Sequence, residues 1–255
     1  MITKRVEFEN NKGDVLHGVL RIPDEEGQFP AVIICHTFHD NKDNELIFNL
    51  WDVISRAGFA VLRFDFSGRG ESQGNFRDLT ISQEIDDIDS AFRFMDSSEQ
   101  IDSDRIGIVG HSMGGIDAVL FSSGSRKVKA LVTIAARADT KEFIDSYFDK
   151  YQQDEWKRKG YVQMHNLNEI SSEFLHDAEN HDIIKSIKAI RCPVLIMHGT
   201  DDPRVPFQDA RELFNHAPEP RQLELIDGAD HRITGDSHRE QLLDILIDWL
   251  VRNLR

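Results

Sequence analysis

Gly110-His111-Ser112-Met113-Gly114 follows directly on the apolar run Ile106-Gly107-Ile108-Val109, and this junction constrains the fold more than any other stretch of the chain. A Gly-x-Ser-x-Gly pentapeptide set between a strand and a helix reads as a nucleophile elbow, a sharp turn whose flanking positions must be small because neighbouring backbone approaches them closely. Gly110, Gly114 and Gly115 meet that requirement. Ile116, Val119 and Leu120 supply apolar positions for a helix running from Met113 to Phe121. Strand, turn and helix are therefore predicted in that order, with Ser112 as the candidate nucleophile.

The rest of the chain fits around this unit. Ile2 to Glu9 and Val15 to Ile22 read as an antiparallel hairpin turned at Asn10-Asn11-Lys12-Gly13, and Ala31 to Cys35 as a buried strand. Strands and helices then alternate: a helix over Leu46–Ala57 ended by Gly58, a strand over Phe59–Asp65, and a helix whose core face is Ile81, Ile85, Ile88, Phe92 and Met95. Further strands are predicted at Arg105–Gly110, Val128–Ala135, Val194–His198 and Gln222–Ile226, before a closing amphipathic helix through Leu242, Ile245, Leu246, Trp249 and Leu250. Such alternation specifies an α/β fold with a mostly parallel sheet covered on both faces.

Residues 139–187 break the rhythm. The segment is polar, too long for an ordinary connection, and holds all three tyrosines, Tyr147, Tyr151 and Tyr161, with Phe143, Phe148, Trp156 and Phe174. A helical cap with a small aromatic core is expected there, inserted into a core domain made of 1–138 and 188–255. Either it closes over the site as a lid or its aromatics only pack it onto the core.

Composition narrows the function. A length of 255 residues suits one large α/β domain, and no apolar run approaches the length needed to span a bilayer. The net charge of −15 argues against nucleic acid and against anionic membrane surfaces as partners. Cys35 and Cys192 sit beside apolar residues at strand positions and read as buried thiols. With no zinc-like spacing, no Gly-x-Gly-x-x-Gly and no Walker-type loop, no metal and no cofactor is implied. The N-terminus alternates like a strand and lacks a signal-peptide pattern, so a cytoplasmic location is expected. A small-molecule ester is the expected partner; a homodimer is admitted, not required.

A serine hydroxyl needs a histidine base and a carboxylate that orients it. Asp202 lies in the loop after Val194–His198, and His231 in Gly228-Ala229-Asp230-His231 after Gln222–Ile226. Asp201 and His238 are rivals on sequence alone. His39 and Asp40 are weighed between a polar role near the leaving group and simple loop exposure. His111 and His198 read as structural, and Asp65–Ser72 as a turn under the site, not a phosphate loop.

Taken in order, His36-Thr37-Phe38, Asp65-Phe66-Ser67-Gly68-Arg69-Gly70-Glu71-Ser72, the Ser112 elbow, the Asp202 loop and the His231 loop resemble the α/β-hydrolase superfamily over nearly the whole chain. The likeness is strongest to its compact esterases, including the cinnamoyl or feruloyl esterase group and relatives of serine aminopeptidases. It implies the α/β-hydrolase fold with an eight-stranded sheet. It also implies Ser112 as nucleophile, His231 as base, Asp202 as acid, and the backbone N–H groups of Phe38 and Met113 as oxyanion hole. The group carries His-Gly where this chain reads His36-Thr37, so a differently shaped hole is expected. The activity implied is hydrolysis of short acyl or hydroxycinnamoyl esters. A peptidase or amidase of the same fold, whose oligopeptidase version is slightly disfavoured without a propeller-like N-terminal domain, and a noncatalytic small-molecule receptor are the alternatives.

Overall fold

A computed structural model describes residues 1–164 and 169–255. Strands β1 (Ile2–Glu9) and β2 (Val15–Ile22) pair antiparallel in the register Ile2↔Ile22 to Glu9↔Val15. Their turn is held by Asn10, whose Oδ1 accepts from the N–H groups of Lys12 and Asp14, and by Gly13 at φ +83°.

The remaining large strands are β3 (Phe29–Cys35), β4 (Ala60–Phe64), β5 (Ile101–His111), β6 (Val128–Ile134), β9 (Val194–Gly199) and β10 (Arg221–Ile226). One eight-stranded sheet results, in the order β1-β2-β4-β3-β5-β6-β9-β10, parallel from β4 onward. Strand order reverses between β3 and β5, and a crevice opens at the carboxyl ends of strands where such a reversal occurs. The loops that leave β3 and β5 carry Phe38 and Ser112.

Alternation along each strand feeds two cores. Val32 and Ile34 of β3, with Val61, Val109, Val132, Leu195 and Met197, face α1 (Glu45–Arg56) and α9 (Asp236–Leu254). Ala31, Ile33 and Cys35, with Ile106, Ile108 and Leu131, face α2 (Ile81–Asp96) and α3 (Met113–Gly124). Helix α3 is buried on every side from Met113 to Ser122, which suits its almost wholly apolar sequence. Both cysteines are buried and free. Among the described residues no helix is long and apolar enough to cross a membrane.

Between β6 and β9 the chain forms α4 (Thr140–Tyr147), α5 (Lys150–Lys159), β7 (Tyr161–Gln163), β8 (Glu169–Ser171), α6 (Glu173–Ala178) and α7 (Ile183–Lys188). The expected all-helical insertion thus also contains an antiparallel hairpin, β7 with β8; residues 165–168 of the insertion lie outside the described residues. Helix α5 starts at a capping box, Asp149 with Gln152, and ends at Gly160 in the left-handed region. Phe143, Phe148, Trp156 and Phe174 are buried as expected, with Trp156 stacked on Phe174 at 6.0 Å. Tyr151 does not join them: it is exposed. Helix α8 (Gln208–His216), after β9, had no counterpart in the sequence reading.

Candidate active site

Ser112 occupies the turn between β5 and α3 with φ 55° and ψ −115°, a conformation costly for any residue with a side chain. The glycines permit it. A Cβ at Gly110 would collide with the carbonyl of Gly114, and one at Gly114 with the carbonyls of Cys35 and His36. Although Ser112 stands at the N-cap of α3, its side chain makes no cap hydrogen bond, which leaves Oγ free.

That Oγ lies 3.1 Å from His231 Nε2, and His231 Nδ1 lies 2.7 Å from Asp202 Oδ2. The three residues, placed after β5, β9 and β10, meet in one line of hydrogen bonds. The acid and base loops are interlocked, since a Cβ at Gly199 would meet the Ala229 carbonyl and Asp201 N–H donates to that same carbonyl at 3.0 Å.

Asp202 is fully enclosed as an anion. Its Oδ1 accepts from the N–H groups of Arg204 (2.8 Å) and Val205 (2.9 Å), and its Oδ2 faces His198 Nε2 at 3.2 Å as well as His231. Burial alone would raise its pKa, but the bonds from His198 and His231 outweigh that and hold the carboxyl well below the usual carboxylate range. His198 therefore does more than the backbone role expected of it: it donates to the Val205 carbonyl at 2.9 Å and also buttresses the acid. The only sequence signal for this was the four-residue spacing from His198 to Asp202.

The rivals are elsewhere. Asp201 is exposed, and the ring of His238, at the start of α9, packs over Gly228 and Gly235. His111 is structural, donating from Nε2 to the His231 carbonyl at 2.9 Å; burial lowers its pKa to about 3, so it is neutral.

Met113 follows Ser112 as the first residue of α3 and Phe38 lies in the loop after β3, and neither backbone N–H is bonded to another group among the described residues. Thr37 is not among the non-glycine residues at positive φ, so the loop does not need the glycine that the sequence comparison suggested. Its carbonyl accepts from His36 Nδ1 at 2.8 Å, while His36 Nε2 accepts from the Phe66 N–H at 3.2 Å. Burial lowers the His36 pKa to about 3, which keeps this neutral, two-sided arrangement intact. His39 is exposed and lays its ring on Phe38 at 4.2 Å; Asp40 pairs with Arg232 at 3.3 Å. The Asp65–Ser72 turn cradles a lysine: Asp65 accepts from the backbone N–H and from Nζ of Lys42, each at 2.7 Å.

The insertion packs on the loop after β3. Phe143, Tyr147 and Phe174 pack on Phe38 at 5.3, 5.2 and 5.8 Å, and Ser112 is only 3% exposed.

Comparison with known proteins agrees with this architecture. The profile of the prolyl oligopeptidase family, Peptidase_S9, matches residues 48–255. An uncharacterized 31.7 kDa protein of Escherichia coli is 34% identical over 119 residues, 47% of this chain, and the chain spans only 41% of that relative's length. Mouse mitochondrial palmitoyl-protein thioesterase ABHD10 is 27% identical over 240 residues, covering 90% of this chain and 77% of the relative. Est1E of Butyrivibrio proteoclasticus, solved with ferulic acid, superposes with a TM-score of 0.88 at 21% identity over 97% of this chain and 99% of its own, a likeness of fold. The chain has the α/β-hydrolase fold and belongs to the prolyl oligopeptidase family.

Proposed function

We propose that the protein hydrolyses carboxylic esters through an acyl-Ser112 intermediate. The observation that carries this reading is the unbroken line from Ser112 Oγ through His231 to Asp202, at 3.1 and 2.7 Å, with two unengaged N–H groups beside it. Ser112 Oγ attacks the ester carbonyl while its proton passes to His231 Nε2, and the carbonyl π pair moves onto oxygen, facing the N–H groups of Phe38 and Met113. The tetrahedral intermediate collapses, the alcohol leaves with the proton from His231, and water repeats the sequence to release the acid. Asp202 holds Nδ1–H and balances the imidazolium.

Short acyl and hydroxycinnamoyl esters are the proposed substrates. The aromatic cluster that Phe143, Tyr147 and Phe174 form on Phe38, in the loop after β3, supports an aromatic acyl group. The family's name favours amides as a second reading, and the same triad cleaves both. The test is initial rates on nitrophenyl esters of rising acyl length, methyl ferulate, an acyl thioester and a prolyl nitroanilide, with Ser112→Ala as blank. Serine-dependent turnover of short or feruloyl esters supports the proposal; turnover confined to the anilide replaces it with a peptidase.

A further inference from the structure

Beneath Phe38 lies a buried charge cluster that the acyl-transfer chemistry above does not use. Arg69 Nη1 donates to the Phe38 carbonyl at 3.2 Å, its Nη2 is paired with Glu84 of α2, and its plane lies 5.2 Å from the Phe66 ring. Glu84 in turn lies close enough to Asp117 of α3 for each charge to act on the other. All three side chains are buried. Two adjoining buried carboxyls do not both ionise: burial and then Glu84's charge push Asp117 well above the carboxylate range, so Asp117 keeps its proton. The pair then carries one negative charge against the single positive charge of Arg69, and a buried ion stays affordable only when so balanced.

The Phe38 N–H belongs to the same planar peptide as the Thr37 carbonyl, which His36 holds; the Phe38 carbonyl belongs to the next peptide, which Arg69 holds. We propose that Arg69, seated on the Glu84–Asp117 pair, is a positioning residue that works with His36 to hold the Phe38 N–H toward the oxygen that becomes negative when Ser112 attacks. This rests on the reading of Ser112 and Phe38 given above. Loss of the clamp weakens binding of the transition state and leaves substrate binding nearly unchanged, because the oxyanion exists only after attack.

The experiment compares wild type, Arg69→Gln and Arg69→Lys on 4-nitrophenyl butyrate, and measures inhibition by an alkyl trifluoromethyl ketone, whose carbonyl becomes an oxyanion when Ser112 adds to it. Lysine keeps the charge but cannot serve Glu84 and the Phe38 carbonyl together. Expected in both variants is a kcat lower by roughly 10- to 100-fold, KM within about twofold, and ketone affinity reduced by the same factor as kcat/KM. A kcat within about twofold of wild type, or a loss confined to KM with ketone affinity retained, overturns the clamp. Should Arg69→Gln fail to fold, Arg69→Lys carries the kinetic test. Infrared spectroscopy of the wild type at neutral pH adds a second reading: a protonated-carboxyl band that Asp117→Asn removes is expected, and its absence in wild type overturns the charge balance. Wild type no faster than Ser112→Ala overturns the Ser112 reading and the clamp together; normal wild-type turnover with unaffected Arg69 variants overturns the clamp alone.

Discussion

Ser112 pays a conformational cost that its glycine neighbours only make sterically possible. At φ 55° and ψ −115° a Cβ is strained by about 1–3 kcal/mol, whereas glycine tolerates the same angles. Ser112→Gly is therefore expected to be more stable than Ser112→Ala by about 1 kcal/mol, a shift of roughly 2–4 °C in Tm by calorimetry, with both inactive. Asp202→Asn replaces an acceptor that four residues have built a cage around, and kcat should fall by roughly 10⁴-fold. Asp201→Asn, at an exposed position with no contact to His231, should stay near wild type in the same assay. The residues of this site were legible because each stands in a loop directly after a strand, an arrangement written in the order of apolar runs. The Arg69 clamp was not, because Arg69, Glu84 and Asp117 come from three separate segments that only tertiary packing unites.

Among elements, the hairpin β1–β2 has the boundaries its alternation predicts, and the core strands differ from their apolar runs by a few residues at most, apart from β5, which begins four residues early at Ile101. Each has a strong period and a strong turn signal. The hairpin β7–β8 was invisible for the opposite reason: strands of three residues are too short to show a period. The stability of the insertion is predicted to depend on Trp156, fully buried between Phe148 (4.6 Å) and Phe174 (6.0 Å). Trp156→Ala should cost about 3–5 kcal/mol in chemical denaturation. Tyr147→Ala, on the helix that touches Phe38, should instead change selectivity between methyl ferulate and butyrate esters. Unchanged selectivity would mean that the insertion only packs on the core.

For the molecule as a whole, buried ionisable groups set how stability follows pH. His36 and His111 have folded pKa values of about 3, both lowered chiefly by burial, against about 6.5 in an unfolded chain. The unfolded state binds the extra protons, so each contributes stability that is complete above pH ~6.5 and declines by about 1.4 kcal/mol per unit as pH falls toward 3. Asp117 acts in the other direction: its raised value favours the folded state at low pH, and this contribution is lost as pH rises above ~4. From the two histidines, stability should fall as pH drops below about 6.5, and Asp117 opposes that fall. Denaturation midpoints measured from about pH 4 to 7 should show the decline toward acid, and Asp117→Asn should steepen it.

The packing of the α4 aromatics on Phe38 also bears on what limits the speed of this protein. Because Ser112 is 3% exposed and Phe143 and Tyr147 of α4 pack on Phe38 of the neighbouring loop, entry of an ester is predicted to need an outward movement of α4, a door as well as a bond in each cycle. For good leaving groups the door is predicted to be the slower of the two. Turnover should then level off as the leaving group improves and should slow in proportion to solvent viscosity.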